Sequence, residues 1–178
     1  MSTVSWSTTQ LSQARGGISA VNVKDQLYFA GGEADHRWYG SPSNKIDIYN
    51  NSTNSWSTST LSEPMHLLTG ITMADKIYWA AGCTVEIKDV STSTHSIAHL
   101  YKPASWDIQS VKKDNLILFL GGYRGSISSP VRENKFDIYN TTTNTWSIGV
   151  LPIAIESAIS YNNTVYATDG VKVYKMEF

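Results

Sequence analysis

Cysteine is almost absent from this sequence, because Cys83 is the single one among 178 residues. One thiol cannot form an intrachain disulfide, so the fold depends on its core, and a chain of this length can bury roughly 70% of its surface. No basic-then-apolar leader precedes the Ser- and Thr-rich start. These absences predict an intracellular, cytoplasmic protein in which Cys83 is packed rather than reactive.

Long apolar runs and runs of like charge are also missing. No stretch approaches the roughly 20 apolar residues that span a bilayer. Fourteen Lys and Arg against fifteen Asp and Glu leave a net charge of −1. We therefore expect neither a membrane nor a nucleic acid as partner.

Motifs of the common catalytic and metal sites are absent as well. The sequence has no nucleophile elbow, no phosphate-binding glycine loop and no His-Glu-x-x-His motif. His95 and His99 are four residues apart, which on a strand separates them by roughly 13 Å. That distance is too long for one metal ion. We expect no catalytic residue, metal or cofactor.

An internal repeat is the main feature that is present. The segment Asp47–Ser57 (DIYNNSTNSWS) returns ninety residues later as Asp137–Ser147 (DIYNTTTNTWS). Each copy follows an apolar run closed by paired glycines, at Leu27–Gly32 (LYFAGG) and Ile117–Gly122 (ILFLGG). Paired glycine suits a backbone with positive φ or one that passes close to a neighbouring strand.

Weaker copies lie between and after these two. Ile77–Gly82 (IYWAAG) and Val165–Gly170 (VYATDG) match the apolar run, and His95 holds the Trp position of the second unit. Each unit reads as four short strands with turn residues between them, at Lys24-Asp25, Asp114-Asn115 and Asn162-Asn163. The pattern predicts an all-β protein without helices.

These residues resemble the kelch family, in which an apolar run ending in Gly-Gly, an acidic-apolar-Tyr segment and a Trp recur in each repeat. The resemblance covers nearly the whole chain and implies a β-propeller of four blades. Their approximate boundaries follow from the repeat: residues 8–57, 58–96, 97–147, and 148–178 with 1–7.

The last of these blades is expected to close the ring. Val4–Ser7 reads as an outer Trp strand without its inner strands, and the chain ends after Val173-Tyr174, which reads as a third strand. Pairing the two would hide both free edges within one monomer. A ring shared between two chains is the alternative.

Two long segments between the second and third strands belong to the face where related proteins bind ligands. Residues 33–44 and 123–134 are long only in the first and third units, and we expect them to face each other across the channel. Aromatic residues with Arg are typical of interface anchors. The candidates are His36, Arg37, Trp38 and Tyr39 in the first segment, and Tyr123 and Arg124 in the second.

A second group of candidates begins the innermost strands at the channel mouth: Arg15, His66 and Trp106. Arg15 offers a donor fork and Trp106 a stacking face, although an Arg in this position of kelch rings often serves structural hydrogen bonding. His66 could approach His36, but two His without a clear carboxylate partner make a weak metal site.

The expected function is a non-catalytic binding module for a protein, a peptide or a small polar ligand. Two alternatives remain open at this point. One is a small enzyme that uses the channel mouth around Arg15, His66 and Trp106. The other is a scaffold without a ligand.

Overall fold

The computed structural model describes residues 4–34, 40–101, 106–126 and 128–177 of the chain. Its strands form five antiparallel sheets of two to five strands, which confirms the all-β prediction. In these parts of the chain, no helix has the length and apolar character needed to cross a membrane.

Each of the four larger sheets is built from strands that follow one another in sequence. Sheet 1 contains β2 (Ser19–Val23), β3 (Gln26–Ala30), β5 (Ser43–Asn50) and β6 (Ser55–Met65). Sheet 2 contains β7 (Thr69–Met73), β8 (Lys76–Ala81), β9 (Thr84–Asp89) and β10 (Thr94–His99). Sheet 3 contains β11 (Trp106–Lys113), β12 (Leu116–Ser126), β14 (Lys135–Asn140) and β15 (Thr145–Val150), with β13 (Ser129–Arg132) paired to the end of β12. Sheet 4 contains β16 (Ser157–Tyr161), β17 (Thr164–Thr168) and β18 (Val173–Met176), and β1 (Arg15–Gly16) pairs with β4 (Glu33–Ala34) in the fifth sheet.

The turns between first and second strands lie where the sequence predicts them. Lys24, Asp114 and Asn162 each adopt positive φ, at 52°, 52° and 45°. Asn and Asp tolerate this left-handed conformation better than most residues, and tight hairpins require it. The polar pairs therefore join the strands in two-residue turns.

The sheets pack on one another in sequence order. In each sheet we call the side that contacts the next sheet the forward face, and the opposite side the rear face. Tyr28 and Ile46 on the forward face of sheet 1 share a core with Ile77 and Trp79 on the rear face of sheet 2. All four side chains are almost completely enclosed.

The same contact is repeated twice more along the chain. Tyr78 and Val85 on the forward face of sheet 2 pack with Ile117 and Phe119 of sheet 3. Leu118 and Leu120 on the forward face of sheet 3 in turn pack with Val165 on the rear face of sheet 4. The inner strands β2, β7, β11 and β16 are neighbours in that order. Three apolar cores thus join four sheets.

The predicted closing strand is not seen among the described residues. Residues 4–14 belong to no strand, and Trp6 is 89% exposed. Strand β18 pairs only with β17, so sheet 4 has three strands in the described part of the chain whereas sheets 1 to 3 have a fourth. One edge of sheet 4 is therefore left open.

Candidate functional site

A long hairpin extends from sheet 3 where the sequence predicts a loop. Strand β12 continues past its paired glycines to Ser126, and β13 returns beside it, so that Tyr123 lies opposite Arg132. The loop interpretation of residues 123–134 was thus too simple, because the backbone groups of this segment pair with each other. The hairpin holds its side chains on a regular scaffold.

Three side chains at the base of the hairpin form a stack. Trp106 starts β11 opposite Tyr123, and their rings lie nearly parallel with centroids 5.8 Å apart. The Arg132 guanidinium carbon lies 5.4 Å from the centre of the Tyr123 ring. Such an arrangement combines ring stacking with a cation–π contact. Trp106 and Tyr123 are partly exposed, so the stack is open to a ligand.

Two ion pairs hold the arginines of this group. Arg124 Nε lies 2.6 Å from Oε2 of the buried Glu133, so the two side chains form an ion pair. Arg132 pairs with Glu156, which immediately precedes β16. Sequence reasoning missed Glu156, because nothing in the repeat spacing singles it out. The two carboxylates orient the arginines while both cations remain partly exposed.

Arg15 belongs to β1, and its side chain is enclosed against the strands of sheet 1. Its guanidinium forms an ion pair with Asp47 and donates to the backbone carbonyl oxygens of Gly31 at 2.7 Å and Lys45 at 2.6 Å. The side chain has no exposed surface. This geometry favours the structural alternative that the sequence left open for Arg15, since its donors are already used.

His66 has a carboxylate partner that the sequence did not reveal. Its Nδ1 lies 2.8 Å from Glu33 Oε1, and the imidazole is 42% exposed. Glu33 belongs to β4, and His66 directly follows β6, whose last residue Met65 accepts a backbone hydrogen bond from Gly32. The contact therefore depends on the pairing of chain segments around sheet 1. The structure thus joins His66 to Glu33 and Trp106 to Tyr123, rather than assembling Arg15, His66 and Trp106 as one group.

Residues 35–39 of the first long segment lie outside the described residues. His36, Arg37, Trp38 and Tyr39 are among them, so their predicted role as interface anchors stays a prediction. The same holds for the prediction that the two long segments face each other.

Sheet 2 contains a polar network where other sheets carry aromatic pairs. His95 lies opposite Lys88 in the register that places Trp56 opposite Tyr49 in sheet 1. His95 Nδ1 is 2.5 Å from Oε1 of the fully buried Glu86, and its Nε2 is 2.8 Å from Lys88 Nζ. Burial lowers the pKa of Lys88, an effect that the nearby Glu86 partly offsets.

The Glu86 carboxylate also accepts a hydrogen bond from the backbone. It accepts a hydrogen bond from Ser62 N–H at 2.8 Å, as Asp47 does from Ser12 and Asp137 from Tyr101. These acidic residues therefore hold the segment that leads into each of sheets 1 to 3, in agreement with the structural role predicted for the repeated acid. We therefore assign a structural role to the network of Glu86, Lys88 and His95.

The described residues carry no cluster of metal ligands, and their single thiol lies at the surface. No group of three or more His, Cys, Asp and Glu side chains is placed to hold a metal ion there. Cys83 is exposed in the turn between β8 and β9, so the prediction of a packed cysteine was wrong. A two-residue turn has no interior in which a side chain could be buried.

No family model matches this chain, and no curated protein matches it in sequence. The stack of Trp106, Tyr123 and Arg132 is therefore interpreted from its own geometry. It is the place where exposed aromatic surface, paired cations and a strand edge come together.

Proposed function

We propose that the four sheets are blades of a kelch-type β-propeller and that the protein is a non-catalytic binding module for a peptide or a peptide segment of a protein. Two observations support the propeller: the repeat resembles the kelch pattern, and successive sheets pack face to face through the same positions. Sheets that stack in this way around an axis are the units of a propeller.

The partly exposed stack of Trp106, Tyr123 and Arg132 is the observation that carries the binding site. Aromatic rings and arginine are enriched among residues that dominate binding energy. Strand β13 pairs on one side only among the described residues, so it offers backbone donors and acceptors at its free edge. An extended peptide could use that edge and place a side chain on the rings.

A displayed library of short peptides tests this proposal. The wild-type protein is expected to enrich a family of related peptides. Trp106→Ala and Tyr123→Ala are each expected to weaken binding of those peptides by about tenfold or more, since a central aromatic anchor is commonly worth more than 1.4 kcal/mol.

Ile148→Ala provides the matched control, because Ile148 is a 41% exposed apolar residue on β15. It should bind the enriched peptides as the wild type does. Circular dichroism would show that each variant is folded. Failure to enrich any peptide, or equal binding by Trp106→Ala, would disprove the proposed site.

A further inference from the structure

The open edge of sheet 4 borders an empty groove. The groove has a volume of about 600 Å³ and runs between β18 and the neighbouring sheet, where Phe136, Ile138 and Gly149 form one wall and Tyr174 and Met176 the other. In sheets 1 to 3 the corresponding place is filled by the fourth strand. The groove therefore has the position and the lining of a slot for one more β-strand.

The segment Val4–Ser7 carries the sequence of such a strand. Trp56 and Trp146 lie opposite Tyr49 and Tyr139 in sheets 1 and 3. When the repeat is continued into sheet 4, Trp6 falls opposite Met176 and Ser7 opposite Lys175. Trp6 would then enter the groove, whereas here it is 89% exposed.

The rear face of sheet 1 is unusually open for its repeat position. Leu27 corresponds to Ile77, Ile117 and Val165, and those three side chains have no exposed surface. Leu27 is 39% exposed, and Trp56 on the same face is exposed to the same extent. Each of the three equivalent residues is covered by the forward face of the preceding sheet.

The forward face of sheet 4, at the other end of the row of sheets, is also exposed. Ile159 corresponds to Val21, Ile71 and Val111, each of which packs against the core shared with the next sheet. Ile159 is 65% exposed and Tyr161 66%. In the repeat, each forward face is covered by the rear face of the next sheet, so the rear face of sheet 1 has the features that would fit the forward face of sheet 4.

A second copy can cover both ends without changing the sheets as they stand. Closure within one chain would require the three packed cores to be rearranged until β16 meets β2, and packed interiors resist such changes. Two copies in head-to-tail contact bury both ends, because a heterologous contact that closes on itself makes a ring. The resulting eight sheets lie within the usual range for propellers.

We infer that this protein forms a head-to-tail dimer in which Val4–Ser7 of each copy becomes the fourth strand of sheet 4 in the other. Trp6 of one copy fills the groove beside Met176 of the other. Leu27 of the first copy packs on the forward face of the second, which carries Ile159. The contact rests on inter-sheet packing and is independent of peptide binding at the hairpin.

Disulfide trapping distinguishes the dimer from closure within one chain. On a Cys83→Ser background, Ser7→Cys and Lys175→Cys introduce thiols at residues that the repeat places directly opposite, within reach of a disulfide. Two proteins that each carry one of these substitutions are expected to form a covalent dimer when mixed under mild oxidation. The doubly substituted chain should also run as a dimer on a non-reducing gel.

Each other outcome overturns the inference. A doubly substituted chain that forms an internal disulfide and remains a monomer would show closure within one chain. The absence of any disulfide would show that the two segments do not meet. A ladder of longer species would show an open chain of copies instead of a two-copy ring.

Sedimentation of unmodified protein and of one face variant gives a second measurement. The wild type is expected at twice the chain mass, and Ile159→Asp is expected to be monomeric because it places a charge in the contact. Val131→Asp is the control, since Val131 is 54% exposed on β13 and should leave the dimer intact. A monomeric wild type, or a dimer of unchanged affinity in Ile159→Asp, would contradict the inference.

Discussion

At the residue scale, the glycines that close the apolar runs of the repeat meet two separate requirements. Gly31 has a φ of 65°, which L-residues rarely adopt, and a Cβ at this position would lie 2.7 Å from the carbonyl oxygen of Met65. Gly82 in the second unit has a similar φ of 59°, but no atom lies within 4 Å of its Cβ position. Gly31 therefore combines a strained conformation with a close contact, whereas Gly82 has the strained conformation alone.

Gly31→Ala should destabilise the protein more than Gly82→Ala. Both substitutions incur the cost of a left-handed Ala, about 1–2 kcal/mol. Gly31→Ala adds an overlap with a backbone oxygen, and overpacking typically costs about 1–3 kcal/mol more. Urea denaturation of the two variants measures the difference, and equal losses would show that the close approach to Met65 is relieved at little cost.

Asp169 predicts a dependence of stability on pH. Its carboxylate accepts hydrogen bonds from the backbone N–H groups of Lys172 and Val171 and from the Tyr174 hydroxyl. Together these contacts, the Lys172 N–H most of all, hold the pKa of Asp169 at about 2, below the usual carboxyl value. Because the folded-state pKa is lowered, this stabilisation is present above the ordinary carboxyl pKa and is lost as the pH falls towards about 2.

Asp169→Asn keeps an acceptor oxygen but cannot ionise, so it is the matched comparison. The wild type is expected to be the more stable protein near neutral pH, and the difference should shrink as the pH falls from about 5 to about 2. Urea midpoints of both proteins across that interval measure the effect. A difference that does not change with pH would show that the charge of Asp169 contributes nothing.

At the scale of the element, sheet 2 has polar side chains at the paired positions that hold Trp and Tyr in sheets 1 and 3. Sheets 1 and 3 pack Trp against Tyr in tilted pairs, with ring centroids 5.1 Å and 4.8 Å apart. Sheet 2 places His95 and Lys88 in the same register and connects them to Glu86. Buried polar networks of this kind are costly when one member is removed, because the others lose their partners.

Replacing both residues should therefore be tolerated better than removing one. His95→Ala leaves Lys88 and part of Glu86 without a partner and should cost about 1–3 kcal/mol. Lys88→Tyr with His95→Trp restores the aromatic pair of the other sheets, while Glu86 keeps its Ser62 contacts, so the double variant is expected to be about as stable as the wild type. Denaturant midpoints test this, and a double variant less stable than His95→Ala would refute it.

At the scale of the whole molecule, stability is distributed over three similar interfaces. Each core joins one sheet only to the next, so the sheets depend on their neighbours in sequence order. The first and last sheets have one neighbour each in the described residues, and their outward faces carry Leu27 and Ile159 in exposed positions. The proposed dimer would give both sheets the second neighbour that sheets 2 and 3 already have.

The sequence alone determined the all-β class of the fold, most strands of the four larger sheets and the turns between their first and second strands. These follow from local chemistry: β-branched and aromatic residues favour strands, and residues such as Lys24-Asp25 and Asn162-Asn163 occur where the chain must reverse. The repeat also identified equivalent positions, so the structural role of Asp47, Glu86 and Asp137 could be predicted before any contact was known.

Only the tertiary structure decided which of the candidate residues meet. The sequence left Arg15 open between ligand binding and structural hydrogen bonding, and the structure encloses it among backbone carbonyls. Trp106 joins Tyr123 and Arg132 through a hairpin that the sequence presented as a loop. It also decided that Leu27 and Ile159 remain exposed although their counterparts in other sheets are covered. The reason is physical: a repeat assigns each residue a place in its own sheet, but burial depends on what the neighbouring sheet brings to that place.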